Sequence, residues 1–481
     1  MSLRALIRDW RGILVLLPWA VLVSIALRTD AYGLTEEGAK ALLLAWSIGD
    51  AVASAAFTLG APDIRVILFL PLGFLWPGQV IAAKVLTLLA MAGAGMALYR
   101  WRARETQEEA ALLATGLLLI APLTIDAVNS LSAAPFLLAI AAAATSLNRK
   151  LAADKGALGG WFFAQILACA AAVSMHPAGL AYPVMLFFLW WRTAPDQRHR
   201  EYFLIGIPLI VVLVIAMRLG WSGALWLQNP LPSAAAIFSG GRADGPPSNA
   251  ALVGGFALIA ATAAVAWHEH RRLLADLTGG TLLLGAIFGA MAADRSWALL
   301  LFALLLYGGI PWLLRALQTL AGHGILVQRG WLWVILFLIC TLFMRTNKSD
   351  FEASRDNRLA ADDQLIRDFA EGLNSLRAAG GAGGAGGAGA EQAAKPIVVA
   401  SSWPARTSIA CRCDGLPLPP AASDPPSQLA MMRGVSYVIL ADVADNRALG
   451  FNFAQLGPQI DVLAREPGGV ILRLKPARAA L

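Results

Sequence analysis

Charged residues are scarce in this chain. Aspartate, glutamate, lysine and arginine make up 14% of its 481 residues, whereas a soluble globular protein carries about 25%. Hydrophobic residues make up 58%, and the mean hydropathy is +0.63. The apolar residues fall in blocks of roughly 17 to 22, which are long enough to cross a hydrocarbon core. This composition excludes a soluble globular protein and indicates a polytopic α-helical membrane protein.

Cysteine is also scarce, and motifs for nucleotides and metals are missing. Four cysteines are too few for a disulfide scaffold, and Cys411 and Cys413 are expected to pair only with strain because they are two residues apart. The sequence contains no P-loop, no dinucleotide fingerprint and no zinc-protease motif, so the cell must supply any activated donor. The net charge is +7. The excess lysine and arginine residues lie in short loops between apolar blocks, which indicates contact with membrane lipids and not with nucleic acid.

The apolar blocks alternate with charged breaks and predict about eleven membrane-spanning helices. All the basic loops, including the amino terminus, fall on one side of this succession. The positive-inside rule therefore places them in the cytoplasm and everything after Arg345 outside, as in a multi-pass protein of a bacterial inner membrane. The predicted spans are 12–28, 78–99, 110–126, 130–147, 160–176, 178–191, 203–219, 251–267, 277–293, 297–314 and 330–345.

Composition divides the chain into three parts. Residues 1–345 are predicted to form the transmembrane domain, with a long first outer loop at 29–77 that contains an amphipathic helix. Residues 346–395 hold a charged amphipathic helix and a Gly/Ala linker. Residues 396–481 contain short strand-like apolar runs and are predicted to form a small extracytoplasmic α/β domain. A domain of about 85 residues is only marginally stable alone, so we expect it to dock on the membrane part.

Carboxylates lie on the predicted outer side, at the start of the first loop and in the second. Glu36 and Glu37 follow Thr35 in the pattern of a capped helix amino terminus. A carboxylate near a membrane surface also suits general-base chemistry, because partial desolvation raises its pKa. Asp30 is either an interfacial charge or a second candidate base. Asp126, between two apolar spans, is either a turn residue or a site for an acceptor or a metal ion.

Several cations on the same predicted side are suited to binding a phosphate. Arginine offers a planar fork of donors, and lysine offers a point charge. Each cation alone fits a structural role better than a catalytic one, but at least one should contact phosphate if the chain binds a phosphate. These candidates are Arg65, Arg295, Arg345, Lys348 and, ranked lowest, His176.

The first outer loop has Glu36-Glu37-Gly38, a helix-like segment and then Gly49-Asp50. With this pattern the first 150 residues resemble the GT-C class of glycosyltransferases that use polyprenyl-phosphate sugars, and specifically its protein-mannosyltransferase-like and aminoarabinose-transferase-like branches. Members of that class commonly have Asp-Glu-Gly or Asp-Glu-Ala, a helix and then Gly-Asp. A proline- and glycine-containing segment at 61–78 and an acidic residue in the second outer loop also match. Glu36 stands where the family usually has aspartate, which leaves Glu37 and Asp30 as alternative bases.

This resemblance implies an inverting transfer of a sugar from a polyprenyl-phosphate donor to an acceptor on the periplasmic side. Glu36 is then the expected base, with Glu37 and Asp126 in support and arginines at the phosphate. The acceptor stays open as a glycan, a lipid or a protein; no cofactor is implied with certainty, and a divalent metal is optional in the class. The alternatives are a transporter or flippase of a lipid-linked glycan, a ligase using a pyrophosphate-linked oligosaccharide, and a catalytically lapsed structural member of the fold.

Overall fold

The structure is a computed structural model of the chain. It describes residues 27–49, 63–104, 108–153, 160–193, 276–291, 296–321, 361–382, 397–418, 432–441, 460–466 and 468–475, together with a few single residues. It divides into two compact units, one of Met1–Leu27, Ala61–Arg65 and Lys84–Phe351, the other of Arg28–Gly60, Val66–Ala83 and Glu352–Leu481. Apart from single residues such as Arg345, the predicted spans 203–219, 251–267 and 330–345 and nearly all of 12–28 lie outside the described residues.

The described part is mostly helical and ends in a small sheet. In chain order the elements are helices α1 (Glu36–Gly49), α2 (Ile64–Leu75), α3 (Val80–Arg102), α4 (Glu108–Ile120), α5 (Pro122–Asn129), α6 (Ala134–Ala153) and α7 (Gly160–Met175), a 3-10 helix (Pro177–Leu180), helices α8 (Ala181–Thr193), α9 (Leu277–Met291), α10 (Ser296–Ala321) and α11 (Ala361–Ala382), strand β1 (Val398–Ser401), helix α12 (Pro404–Cys411), and strands β2 (Asp414–Pro417), β3 (Tyr437–Ala441), β4 (Ile460–Glu466) and β5 (Gly469–Leu474).

Helices overlap each predicted span that falls in the described residues. Among these residues, the segment Val80–Ala103 forms a helix long and apolar enough to cross a membrane, and a second such span is counted if α4 and α5 are taken together. These two helices meet at an angle of 51°. The bend comes at Pro122, which starts α5 and lacks the backbone N–H that a continuing helix would need.

Polar side chains tie the helices of the first unit together at the end of α3. The indole N–H of Trp101 donates to Asp276, and the hydroxyl of Thr145 donates to the same carboxylate at 2.8 Å. Arg102 donates through Nε to the backbone carbonyl of Tyr307 at 3.0 Å and is only 2% exposed. Arg102 lies beyond the predicted span 78–99, but α3 continues through this residue, and its guanidinium finds an acceptor inside the unit.

In the second unit, α2 packs closely against α1. A Cβ placed on Gly73 would lie 2.5 Å from the backbone carbonyl oxygen of Ala45. The glycine therefore lets the two helix backbones approach each other at this point. It lies within the proline- and glycine-containing segment on which the family resemblance partly rests.

The sheet at the end of the second unit has the strand order β2-β1-β3-β5-β4. Strand β1 runs parallel to β2 and β3, whereas β5 runs antiparallel to β3 and β4. The apolar stripe of α11, which includes Leu365, Phe369 and Leu373, packs against Val399 and Ile439 on this sheet. The predicted amphipathic helix is therefore part of the core of the α/β domain.

Helix α12 ends at a disulfide bond between Cys411 and Cys413. Their Cα atoms lie 5.3 Å apart, which is within the ordinary range for disulfides. Arg412 between them has a φ of 50° and terminates the helix in the left-handed conformation. This turn brings the two Cα atoms to that separation.

Candidate functional site

The paired glutamates of the first outer loop lie in the first turn of α1. The hydroxyl of Thr35 accepts a hydrogen bond from the backbone N–H of Gly38 at 3.1 Å. The predicted capping of this helix is confirmed. Both acids are therefore held on a helix start, where the unpaired N–H groups favour negative charge.

Glu36 caps a second helix, α12, which is far away in the sequence. Its carboxylate accepts hydrogen bonds from the backbone N–H groups of Ala405 at 2.9 Å and Arg406 at 3.2 Å. No local side chain caps the first turn of α12, because Trp403 at the N-cap position makes no side-chain hydrogen bond. Pro404 has no N–H, so the first backbone donors of this turn are those of Ala405 and Arg406. Glu36 thus satisfies the donors that the local sequence leaves unpaired.

The side chain of Arg406 extends this contact to two aspartates of α11. Its Nη1 donates to Asp362 at 2.7 Å and its Nη2 donates to Asp363 at 2.5 Å. Asp363 also accepts the backbone N–H of Gly33 at 3.0 Å. Arg406 and Asp363 are 7% and 6% exposed, so this ion pair is largely buried. We call Gly33, Glu36, Asp362, Asp363 and Arg406 the clasp.

Burial acts on the pKa of three clasp residues. It raises the pKa of the Glu36 carboxyl group, although Lys40 and the two amide donors oppose this effect. Burial also raises the pKa of Asp363, against the pull of the Arg406 guanidinium. For Arg406, burial alone would lower the pKa. The carboxylates of Asp363 and Asp362 outweigh burial and raise the pKa of Arg406 above its ordinary value.

The other two candidate bases of the first loop, Glu37 and Asp30, have different surroundings. Glu37 is exposed on the first turn of α1. Asp30 is bound by Arg28, whose Nε and Nη2 donate to its two carboxylate oxygens at 3.2 and 3.0 Å, and it also accepts the backbone N–H of Tyr32. The three predicted acids thus differ in accessibility, with Glu37 the most open to a solvent-borne partner.

Arg65, a predicted phosphate ligand, lies buried in the first unit with 1% of its surface exposed. Its Nε donates to Asp63 at 2.8 Å and its Nη1 donates to the carbonyl oxygen of Leu131 at 2.7 Å. The neighbouring backbone N–H of Ile64 lies 3.4 Å from the hydroxyl of Ser174. Three segments near the predicted outer ends of their spans therefore meet around Arg65: residues 63–65, the stretch 126–131 and the end of span 160–176.

Asp126 and His176 lie in two of these segments. Asp126 is exposed on α5. His176 is 3% exposed, and its Nδ1 accepts the backbone N–H of Ala178 at 3.1 Å. This contact caps the 3-10 helix, so Nδ1 is already engaged within the protein.

Of the remaining predicted cations, only Arg345 is among the described residues. Arg345 is exposed at a single described position, and Arg295 and Lys348 lie outside the described residues. Across the described ranges, no group of three or more histidine, cysteine, aspartate or glutamate side chains is placed to hold a metal ion.

Sequence reasoning did not find Arg406, Asp362 or Asp363. Only one local signal pointed to them: Pro404 starts a helix whose preceding residue, Trp403, is a poor N-cap. A helix start without a local cap needs an acceptor from elsewhere. The partner, Glu36, lies 369 positions away, so the sequence pattern did not identify it.

Comparison with known proteins shows the fold. No family model matches the chain, and no curated protein matches it. The crystal structure of ArnT from Cupriavidus metallidurans in the apo state is 13% identical and covers 96% of this chain and 97% of its own, with a TM-score of 0.52. The structure of the same protein bound to undecaprenyl phosphate is 14% identical and covers 98% of each chain, with a TM-score of 0.50. The resemblance to the GT-C class is confirmed for the fold, a polytopic membrane architecture with a small sheet-containing domain at its end.

Proposed function

We propose that this protein is a membrane glycosyltransferase that transfers a sugar from a polyprenyl-phosphate donor to an acceptor on the extracytoplasmic side. The observation that carries the proposal is a fold shared over 96–98% of the chain with ArnT, in one case with undecaprenyl phosphate bound. Acidic residues on the predicted outer side give additional support, because this chemistry needs a carboxylate base. The acceptor class stays open as a glycan, a lipid or a protein.

The proposed reaction is a direct displacement at the anomeric carbon. The acceptor hydroxyl oxygen forms a bond to this carbon while the bond from the carbon to the phosphate oxygen breaks. The leaving polyprenyl phosphate keeps that electron pair, and the hydroxyl proton passes to a carboxylate of the enzyme. Attack from the face opposite the phosphate inverts the anomeric configuration. No redox partner or nucleotide is consumed.

The contacts of the first-loop acids support a division of roles between Glu36 and Glu37. Both oxygens of Glu36 accept backbone N–H groups, so protonation of Glu36 would weaken its hold on α12. Glu37 is exposed one residue further on, and its protonation would not disturb these two bonds. We therefore propose Glu37 as the base and Glu36 as its anchor, with Asp126 and Asp30 as the further candidates.

On the donor side, Arg65 would have to give up Asp63 or Leu131 to bind phosphate fully. Its present contacts support a role in joining three segments of the first unit. The exposed Arg345, together with Arg295 and Lys348, is the better proposal for the phosphate. His176 stays last, because its Nδ1 caps a helix.

We further propose a bacterial inner-membrane location with a cytoplasmic amino terminus and a periplasmic α/β domain. The alternation of basic loops supports this orientation. The disulfide between Cys411 and Cys413 adds independent support, because disulfides persist in the periplasm and are rare in the cytosol.

The test is a transfer assay with purified protein in lipid, a panel of radiolabelled polyprenyl-phosphate sugars and membrane extract as acceptor. Wild type is compared with Glu37→Gln, Glu36→Gln and Asp126→Asn. Glu371→Gln serves as a matched control, since this glutamate is 70% exposed on α11 of the second unit.

We expect transfer by wild type and the control, and loss of at least about 100-fold in Glu37→Gln, the lower range for a general base. Equal transfer in Glu37→Gln and the control would contradict the role of Glu37. Absence of transfer with every donor would contradict the glycosyltransferase proposal and favour the transporter or lapsed-enzyme alternatives.

A further inference from the structure

Arg406 connects three separate segments of the second unit. Its guanidinium bridges Asp362 and Asp363 of α11, and its backbone N–H donates to Glu36 of α1. Asp363 in turn accepts the backbone N–H of Gly33. One residue of the α/β domain thus holds the first outer loop at two points, directly at Glu36 and through Asp363 at Gly33.

These two points lie on either side of the start of α1. Gly33 has a φ of +77°, a left-handed conformation that glycine adopts without steric cost. With Gly33 fixed before the helix and Glu36 fixed in its first turn, the position of Glu37 is restricted as well. Only two residues, Leu34 and Thr35, separate the two fixed points, so the intervening chain has little freedom to move.

We propose that Arg406 is a positioning residue: through Glu36 and Asp363 it fixes the first outer loop so that Glu37 faces the reacting sugar in one orientation. The effect on catalysis rests on the proposed function, whereas the effect on loop order does not. Arginine reaches the two carboxylates with two separate nitrogens of one planar group, whereas lysine would have to approach both with a single nitrogen.

The first readout is hydrogen exchange in the full chain in lipid, followed at the amides of Gly33, Ala405 and Arg406. The variants are Arg406→Ala, Arg406→Lys and Asp363→Asn. Arg473→Ala is the matched control, because Arg473 is an exposed arginine on β5 of the same unit. We expect Arg406→Ala to raise exchange at Gly33 by at least about tenfold, which corresponds to about 1.4 kcal/mol.

The second readout is steady-state transfer by the same proteins. A displacement of the base by about 1 Å costs about 100-fold, so we expect Arg406→Ala to lower kcat by about that factor with little change in the donor KM. Arg406→Lys should recover part of the loss, and Arg473→Ala should match wild type. A role limited to folding would lower the amount of active protein without this split or this partial rescue.

The outcomes separate the two proposals. If Gly33 exchanges at the wild-type rate in Arg406→Ala, or if Arg473→Ala has the same effects, the positioning role is wrong. If Arg406→Ala fails to fold, Asp363→Asn decides the matter, because it weakens the hold on Gly33 and leaves Arg406 paired with Asp362. If wild type transfers no sugar while exchange changes as expected, the glycosyltransferase proposal fails and the ordering of the loop by Arg406 stands.

Discussion

Replacing Glu36 by alanine removes the carboxylate that caps the first turn of α12. Ala405 and Arg406 then lose their acceptor, and Trp403 offers no side-chain cap in its place. A hydrogen bond to a charged group is worth about 1.5–3 kcal/mol, whereas loss of a helix cap costs about 0.5–2 kcal/mol. Burial disfavours the charged carboxylate and raises its pKa, which offsets part of the gain. We therefore expect Glu36→Ala to cost about 2 kcal/mol of local stability, near the top of the capping range.

Hydrogen exchange at Ala405 and Arg406 measures this local opening in the intact chain. A loss of about 2 kcal/mol lowers the protection of these amides about 30-fold, since each 1.4 kcal/mol is tenfold. Glu36→Gln should fall between wild type and Glu36→Ala. Its amide oxygen still accepts one N–H, while its NH2 group faces the other donor.

Glu37→Ala is the matched control, because Glu37 lies on the same turn and is exposed. We expect it to leave protection at Ala405 and Arg406 unchanged. Unchanged protection in Glu36→Ala would refute capping across the sequence. An equal loss in both alanine variants would show that only the charge of the first turn matters.

Three further predictions follow from the described contacts. Burial raises the pKa of Glu36 above its ordinary value of 4.5, so the folded state holds this proton more tightly than the unfolded state does. The free energy of unfolding of the second unit should therefore fall as the pH rises through the raised pKa, and it should fall less in Glu36→Gln. Denaturant unfolding at several pH values measures this dependence. Asp63→Ala should cost about 3–5 kcal/mol because it leaves Arg65 buried without its carboxylate; a thermal melt equal to wild type would contradict the buried pair. Gly73→Ala should lower the melting temperature, whereas Gly372→Ala, which meets nothing within 4 Å, should stabilise α11 by about 1 kcal/mol.

Local patterns predicted much of the described fold. Strand-like apolar runs marked β1, β3 and β5, and the stripe of Leu365, Phe369 and Leu373 marked the buried face of α11. These elements follow from the periodicity of neighbouring residues, which a sequence displays directly. Strands β2 and β4 were missed because Asp414–Pro417 and the exposed edge strand Ile460–Glu466 show no apolar alternation.

The candidate site was predictable only in part. The paired acids and the Thr35 cap were found because they lie side by side in the sequence. The partner of Glu36 was not, because it is a pair of backbone N–H groups, and these carry no residue-specific signal. Burial of Arg65 was also missed: its partners are Asp63 two residues before it and the carbonyl of Leu131, whose approach depends on tertiary packing.

The capping of α12 by Glu36 also sets an order of events during biosynthesis. The two contact points are 369 residues apart, and a ribosome making about 5–20 residues per second needs about 20–70 s to cover that distance. During this interval the start of α1 already exists, while the helix that Glu36 will bind has not been made. Contacts between such distant residues form late in folding. The first outer loop is therefore among the last parts of the second unit to reach its final arrangement, although it is among the first parts synthesised.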